Sequence, residues 1–459
     1  MSQGTLVSIN PSKGYEILGE VKISSEKDIL SKVHAARKAQ KGWQALALGE
    51  RLERLGFLLE LIKENQSEFA RRTSLEMGQS ITLSTMETKR AIELFEWDLA
   101  HAPEILKDEI TFENEAEVNK IVLEPLGVGA VIVAWNFPLP NFMYSVVQAV
   151  IAGNTVVMKY SEEIPLFSKF LEELCHKAGL EDIIHFIYGD GSVGGMLVDQ
   201  DIDYISFTGS YATGAQLYKK AAQKFIPVTL ELGGSSPGIV FADADLDEIV
   251  GRIYGLRFIN CGQFCSDLKR LIVHHSIKDA LTDKLVARAK QAIVGDPLSP
   301  DTDMGPLVAQ RQVEKLAEQV RDALDKGARL LCGGKKPVAL EGAYFEPTLL
   351  SDISRDMLVW KEEVFGPVLP IIGFDTYEEA IELANDTPYG LTGYVFTRDN
   401  LLAIKAMSDI KAGTLSVNTC SASKAQNPFG GYKHSGVGRQ KGKYGYREVT
   451  QAKVMAWQK

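Results

Sequence analysis

The segment Arg257-Phe258-Ile259-Asn260-Cys261-Gly262-Gln263-Phe264-Cys265-Ser266 carries two of the chain's five cysteines, four residues apart. A thiolate is the strongest nucleophile among the side chains, and Gly262, Gln263 and Ser266 put little bulk around Cys265. The competing reading makes both cysteines small buried hydrophobes, a common fate of a free Cys.

Four other groups have side chains suited to chemistry, each placed just after an apolar, strand-like run. Asn136, in Trp135-Asn136-Phe137-Pro138, has a neutral amide that can donate to an oxyanion, or can cap the helix that follows. Glu231, in Leu230-Glu231-Leu232-Gly233-Gly234, ends an apolar run; desolvation there raises a carboxyl pKa and suits a general base, with a core ion pair as the alternative. Lys159 and Glu162 can bracket a sugar diol or pair with each other. Gly209-Ser210 opens a helix, whose free N–H groups suit a phosphate. Gly189-x-Gly191-x-x-Gly194 fits a dinucleotide fingerprint formally. The acidic residues that follow it, Asp199, Asp201 and Asp203, come too soon for a ribose-binding carboxylate, so we read it as a turn.

The elements that must position these groups follow from periodicity. Helical spacing covers 25–44, with Ser25 as a cap, then 50–69 and 85–99. Residues 110–123 alternate without a breaker and predict an exposed β-ribbon. From 127 onward, strand-like runs alternate with helical ones: strands at 128–134, 155–158, 183–187, 204–207 and 228–230, then at 238–241, 271–274, 370–374, 393–396 and 414–417. A helix is expected from Asp245 into the Cys265 segment. This alternation predicts doubly wound parallel sheets, whose ligands bind beyond the carboxyl ends of the strands. A boundary is expected at Gly233-Gly234.

With 459 residues, 45% of them hydrophobic, the chain can bury more than one core. A net charge of −10 argues against nucleic acid or an anionic membrane as the main partner. Few cysteines, odd in number, favour a reducing compartment. No signal-peptide pattern, membrane span or metal-ligand spacing stands out, and a cytoplasmic protein without a metal is expected.

Taken in order, these motifs resemble the NAD(P)-dependent aldehyde dehydrogenases over essentially the whole chain. To those above the resemblance adds Glu362-Glu363-Val364-Phe365-Gly366-Pro367 and Pro428-Phe429-Gly430-Gly431-Tyr432-Lys433-His434-Ser435-Gly436. It implies two doubly wound α/β domains plus a small β-ribbon oligomerisation element. The boundaries would be 1–109 with 126–233 (NAD-binding), 234–446 (catalytic), and 110–125 with 447–459 (ribbon). It also implies catalysis by Cys265, Glu231 and Asn136. The cofactor would lie on Trp135, Lys159, Glu162, Gly209, Ser210, Glu363 and Phe365, and the substrate against Phe137, Tyr144, Phe264, Ser421 and Phe429. Glu162 beside the adenosine ribose would repel a 2′-phosphate, favouring NAD over NADP.

The loop 417–423 and Arg257 resemble a bacterial succinate-semialdehyde dehydrogenase subgroup, so oxidation of succinate semialdehyde to succinate is the leading specific expectation. Tyr144 and Ile259 stand where the resemblance places carboxylate-binding arginines, which leaves Arg257 or Lys424 as substitutes. The aromatic lining equally suits a broad range of aliphatic or aromatic aldehydes. A catalytically silent binding protein is the reading from another class. Cys261 or Cys420 could form a reversible disulfide with Cys265. A homodimer or homotetramer is expected.

Overall fold

The apolar β-branched runs form parallel strands buried on both faces, as sheets covered by helices require. The computed structural model describes residues 4–418 and 422–459. One sheet has the strand order Gly436–Val437, Val228–Glu231, Tyr204–Thr208, Val128–Val133, Thr155–Tyr160, Ile184–Ile187. Its strands are parallel except for Gly436–Val437, which runs antiparallel to Val228–Glu231. A second sheet has the order Arg329–Cys332, Thr348–Ser351, Val368–Phe374, Leu268–His274, Ser236–Val240, Thr392–Phe396, Thr414–Val417. Only Arg329–Cys332 is antiparallel there. The first sheet's last parallel strand ends at Glu231 and the second sheet starts at Ser236, so Gly233-Gly234 lies between them.

The ribbon is a three-stranded antiparallel sheet. Glu117–Pro125 pairs with Glu109–Glu113 on one side and with Thr450–Gln458 on the other. Among the described residues no helix is long and apolar enough to cross a membrane.

One expectation needs correction. The helix expected over 50–69 is two, Leu48–Glu64 and Gln66–Met77, broken at Asn65. Helix Leu246–Phe258, capped by Asp245, enters the Cys265 segment as expected and ends there, seven residues before Cys265 itself. Within the stretch 234–446, Gly436–Val437 pairs with the first sheet. That pairing brings the C-terminal segment back to the strand that ends in Glu231. Helix Ser25-capped Glu26–Ala45 forms as expected, with Asp28 closing the capping box.

Candidate active site

Cys265 lies in the connection between helix Leu246–Phe258 and strand Leu268–His274. The chain turns there through three consecutive left-handed residues, Asn260 (φ 52°), Cys261 (φ 55°) and Gly262 (φ 67°). Asn tolerates this region and glycine is free in it, whereas Cys261 is strained at a cost of order 1 kcal/mol. Any side chain on Gly262 would run into the Gly366 carbonyl. The fully buried Gln263 fixes the turn: its Nε2 donates to the Asn260 carbonyl at 3.2 Å and its Oε1 accepts from Val308 N at 2.9 Å. Cys265 itself is half-buried. Burial pushes its thiol up to about 12; Lys269 opposes this, and the carboxylates Glu363, Glu231 and Asp267 add to it. It therefore rests as a thiol and must hand a proton to a base before it can attack.

Asn136 follows strand Val128–Val133 and is buried. Its Nδ2 donates to the Gln263 carbonyl at 3.1 Å, and Asn260 Nδ2 donates to the Asn136 carbonyl at 3.0 Å. Glu231, at the end of its strand, is also buried, and among the described residues neither carboxyl oxygen has a hydrogen-bond partner. Burial holds its pKa well above the usual carboxylate range, against the pull of Arg439 and with Glu448 adding to the rise. An unpaired carboxyl of raised proton affinity is what a general base in a dry site requires.

Cys265, Asn136 and Glu231 line one cavity of about 820 Å³, which also takes in Trp135, Gly209, Ser210, Glu363 and Phe365. Glu363 Oε1 accepts from the Gly234 N–H at 3.0 Å and pairs with the fully buried Lys269, whose ammonium lies 5.1 Å from the Phe365 ring centre. Side chains on Gly233 and Gly234 would strike the Glu363 carboxylate and the Cys265 carbonyl, so the two glycines allow this close approach. Trp135 meets Phe365 edge-on at 5.7 Å.

Ser210 caps helix Tyr211–Lys224, and its Oγ accepts from Thr213 N at 3.3 Å. The neighbouring Thr208 hydroxyl is buried without a partner among the described residues and also lines the cavity. A helix N-terminus with a spare hydroxyl at a cavity edge fits a diphosphate. Lys159 and Glu162 stand outside the cavity lining, 3.6 Å apart at the carboxyl end of the adjacent strand, Thr155–Tyr160.

Of the residues expected against the substrate, Phe137, Tyr144, Phe264 and Phe429 line this cavity. Phe137 and Phe264 are tilted against each other with ring centres 4.4 Å apart, and they share the wall with Tyr144 and Phe429. Ser421 and Cys420 lie outside the described residues. Cys261 is buried in the core with its thiol pushed up by burial, both unfavourable to disulfide exchange.

Arg257 is not a pocket cation. It is fully buried and donates to the carbonyls of Val364 (3.1 Å), Val368 (3.0 Å) and Gly366, with Asp267 at 3.6 Å. It clamps the segment that carries Phe365. Lys424 does line the cavity. Sequence reasoning missed Lys269, Arg90 and Lys441. Lys269 could have been found as one of two adjacent charges, with Arg270, opening the apolar strand Leu268–His274.

Residues 1–455 match the model of the aldehyde dehydrogenase family. The glutarate-semialdehyde dehydrogenase of Pseudomonas putida is 35% identical over 454 residues, covering 98% of this chain and 94% of that protein. Among solved structures, an E. coli NADP dependent enzyme superposes with a TM-score of 0.96 at 32% identity, covering 99% of this chain and 95% of that one. The betaine aldehyde dehydrogenase of Staphylococcus aureus, in complex with NAD+, gives 0.95 at 34% identity, covering 99% and 91%.

Proposed function

This chain belongs to the aldehyde dehydrogenase family, and from that premise we propose that it oxidises an aldehyde to its carboxylic acid with NAD, using Cys265 as nucleophile. The observation that carries this reading is the convergence of Cys265, Asn136, Glu231 and Glu363 on one cavity.

Glu231 takes the Cys265 proton, and the thiolate attacks the aldehyde carbon to give a thiohemiacetal. Asn136 Nδ2 has given one N–H to Gln263; the other, with the Cys265 backbone N–H, meets the developing oxyanion. NAD, when bound, supplies the acceptor for the hydride, and Cys265 is left as a thioester. Glu231 releases the Cys265 proton to solvent and then takes one from water, which attacks the thioester; the tetrahedral intermediate expels the Cys265 thiolate, Glu231 returns its proton to the sulfur, and the free acid leaves.

The dinucleotide would lie with its diphosphate at Gly209 and Ser210 and its adenosine ribose at Lys159 and Glu162. Glu363 would hold the nicotinamide ribose through Oε2, since Oε1 is engaged by Gly234 and Lys269. Phe365 and Trp135 would flank the ring. The Glu162 carboxylate favours NAD over NADP by repelling a 2′-phosphate.

For the substrate we infer a semialdehyde, with succinate semialdehyde first, supported by the likeness to a glutarate-semialdehyde dehydrogenase. The aromatic wall of Phe137, Phe264, Tyr144 and Phe429 supports the alternative of a broad aliphatic or aromatic range. Exposed Ile110 and Phe112 on edge strand Glu109–Glu113 suit pairing with a second copy, giving a dimer or a dimer of dimers. The experiment that tests the reading is NADH formation across an aldehyde panel, with Cys265→Ala as control.

A further inference from the structure

The cavity wall carries a buried ammonium in addition to the groups above. Lys441 is 4% exposed, and its Nζ donates to Ser423 Oγ at 3.2 Å and stands 5.5 Å from the centre of the Tyr144 ring. Lys441, Ser423, Tyr144 and Cys265 line the same cavity. The residue holds a left-handed backbone (φ 69°), unusual for a lysine, between the bridge from Gln440 to Phe429 and helix Gly442–Glu448. Among the described residues no carboxylate pairs with its ammonium within 4.0 Å. A buried ammonium without a counter-charge is costly unless a ligand provides one.

The charged and titratable groups around it favour an anion. Arg90, on helix Ile81–Ile105, lines the cavity and is exposed. Two carboxyls on the same helix are held towards their neutral forms by burial: Glu87 at about 8, accepting from Gln79 Nε2 at 2.8 Å, and Asp98 at about 7, accepting from Gln148 Nε2 at 2.8 Å. Lys441 is itself lowered to about 8, by burial first and then by Arg90, with Asp98 opposing. It is therefore largely protonated at neutral pH.

We propose that Lys441 determines substrate specificity, its ammonium receiving the carboxylate of an ω-carboxy aldehyde whose carbonyl reaches Cys265, with Arg90 drawing the anion towards the cavity. The proposal rests on the aldehyde-oxidising reading of the site. It places the cation on the C-terminal segment, since Tyr144 and Ile259 carry none, and it makes the cavity hostile to an aldehyde bearing a quaternary ammonium.

The test compares kcat/KM for succinate semialdehyde and for pentanal, a neutral aldehyde of similar size, in wild type, Lys441→Gln and Lys441→Arg. The ratio of the two is expected to fall at least about tenfold in Lys441→Gln, through a raised KM for the anionic substrate, and to recover in Lys441→Arg. In the wild type the same ratio falls between pH 7 and pH 9 as Lys441 loses its proton, a readout that needs no variant to fold. Pentanal turnover with equal losses for both substrates in Lys441→Gln, or a wild-type ratio flat with pH, overturns the assignment alone. Absence of NADH with every aldehyde overturns the aldehyde reading and this proposal with it.

Discussion

The Asn136 side chain donates to the Gln263 carbonyl at 3.1 Å, tying the end of a strand in the first sheet to the turn that presents Cys265 from the second. The bond restrains the amide plane, and in the proposed mechanism the second N–H is the one that meets the oxyanion. Asn136→Ala is expected to lower kcat by about 10²–10³, with the KM for NAD unmoved. Steady-state NADH formation measures both; a loss of less than tenfold would confine Asn136 to positioning Gln263.

Glu231→Gln keeps the shape of the side chain and removes the base. Because Glu231 both takes the Cys265 proton and activates the hydrolytic water, the variant should lose acylation and hydrolysis together. A stopped-flow trace is expected to be slow and linear, with no burst and a rate reduced by about 10²–10⁴. A rapid burst of about one NADH per site followed by a slow steady rate would confine Glu231 to the water step and assign the Cys265 proton to another base.

The Lys159–Glu162 pair tests the cofactor choice. Wild type is expected to prefer NAD in kcat/KM, and Glu162→Gln to narrow the NAD/NADP ratio by about tenfold as a carboxylate–phosphate repulsion is removed. A wild-type preference for NADP, as in the described cofactor of the E. coli neighbour, would overturn the role given to Glu162.

Burial raises Glu87 to about 8 from 4.5, and this has a sign in stability. The folded state holds the proton more tightly than the unfolded chain, so ionisation costs the fold progressively from pH about 4.5 to about 8 and levels off above. Glu87→Gln removes that cost. Relative to wild type it should gain stability between pH 5 and pH 9, by up to about 4 kcal/mol at about 1.4 kcal/mol per pKa unit. Thermal melting at the two pH values reads the difference; an equal effect at both would contradict it.

Much of this was legible in the sequence for a physical reason. Strands buried on both faces read as unbroken β-branched runs, and residues that bind ligands in such sheets come just after them, where Asn136, Ser210 and Glu231 stand. What was not legible depends on segments distant in the chain. Arg257 looks like a cation near Cys265, yet it is absorbed by carbonyls over a hundred residues onward. Lys441 looks like one of many surface lysines until strand Gly436–Val437 carries it back beside Tyr144. The Glu363–Lys269 pair likewise joins residues far apart in sequence across the second sheet.

The central claim is that Cys265 forms a covalent intermediate in aldehyde oxidation, and the most direct test is NAD reduction with succinate semialdehyde and neutral aldehydes, comparing wild type with Cys265→Ala. The account predicts one NADH and one carboxylic acid per aldehyde in wild type and none in the folded variant. No NADH with any aldehyde, or undiminished turnover in Cys265→Ala, would contradict it.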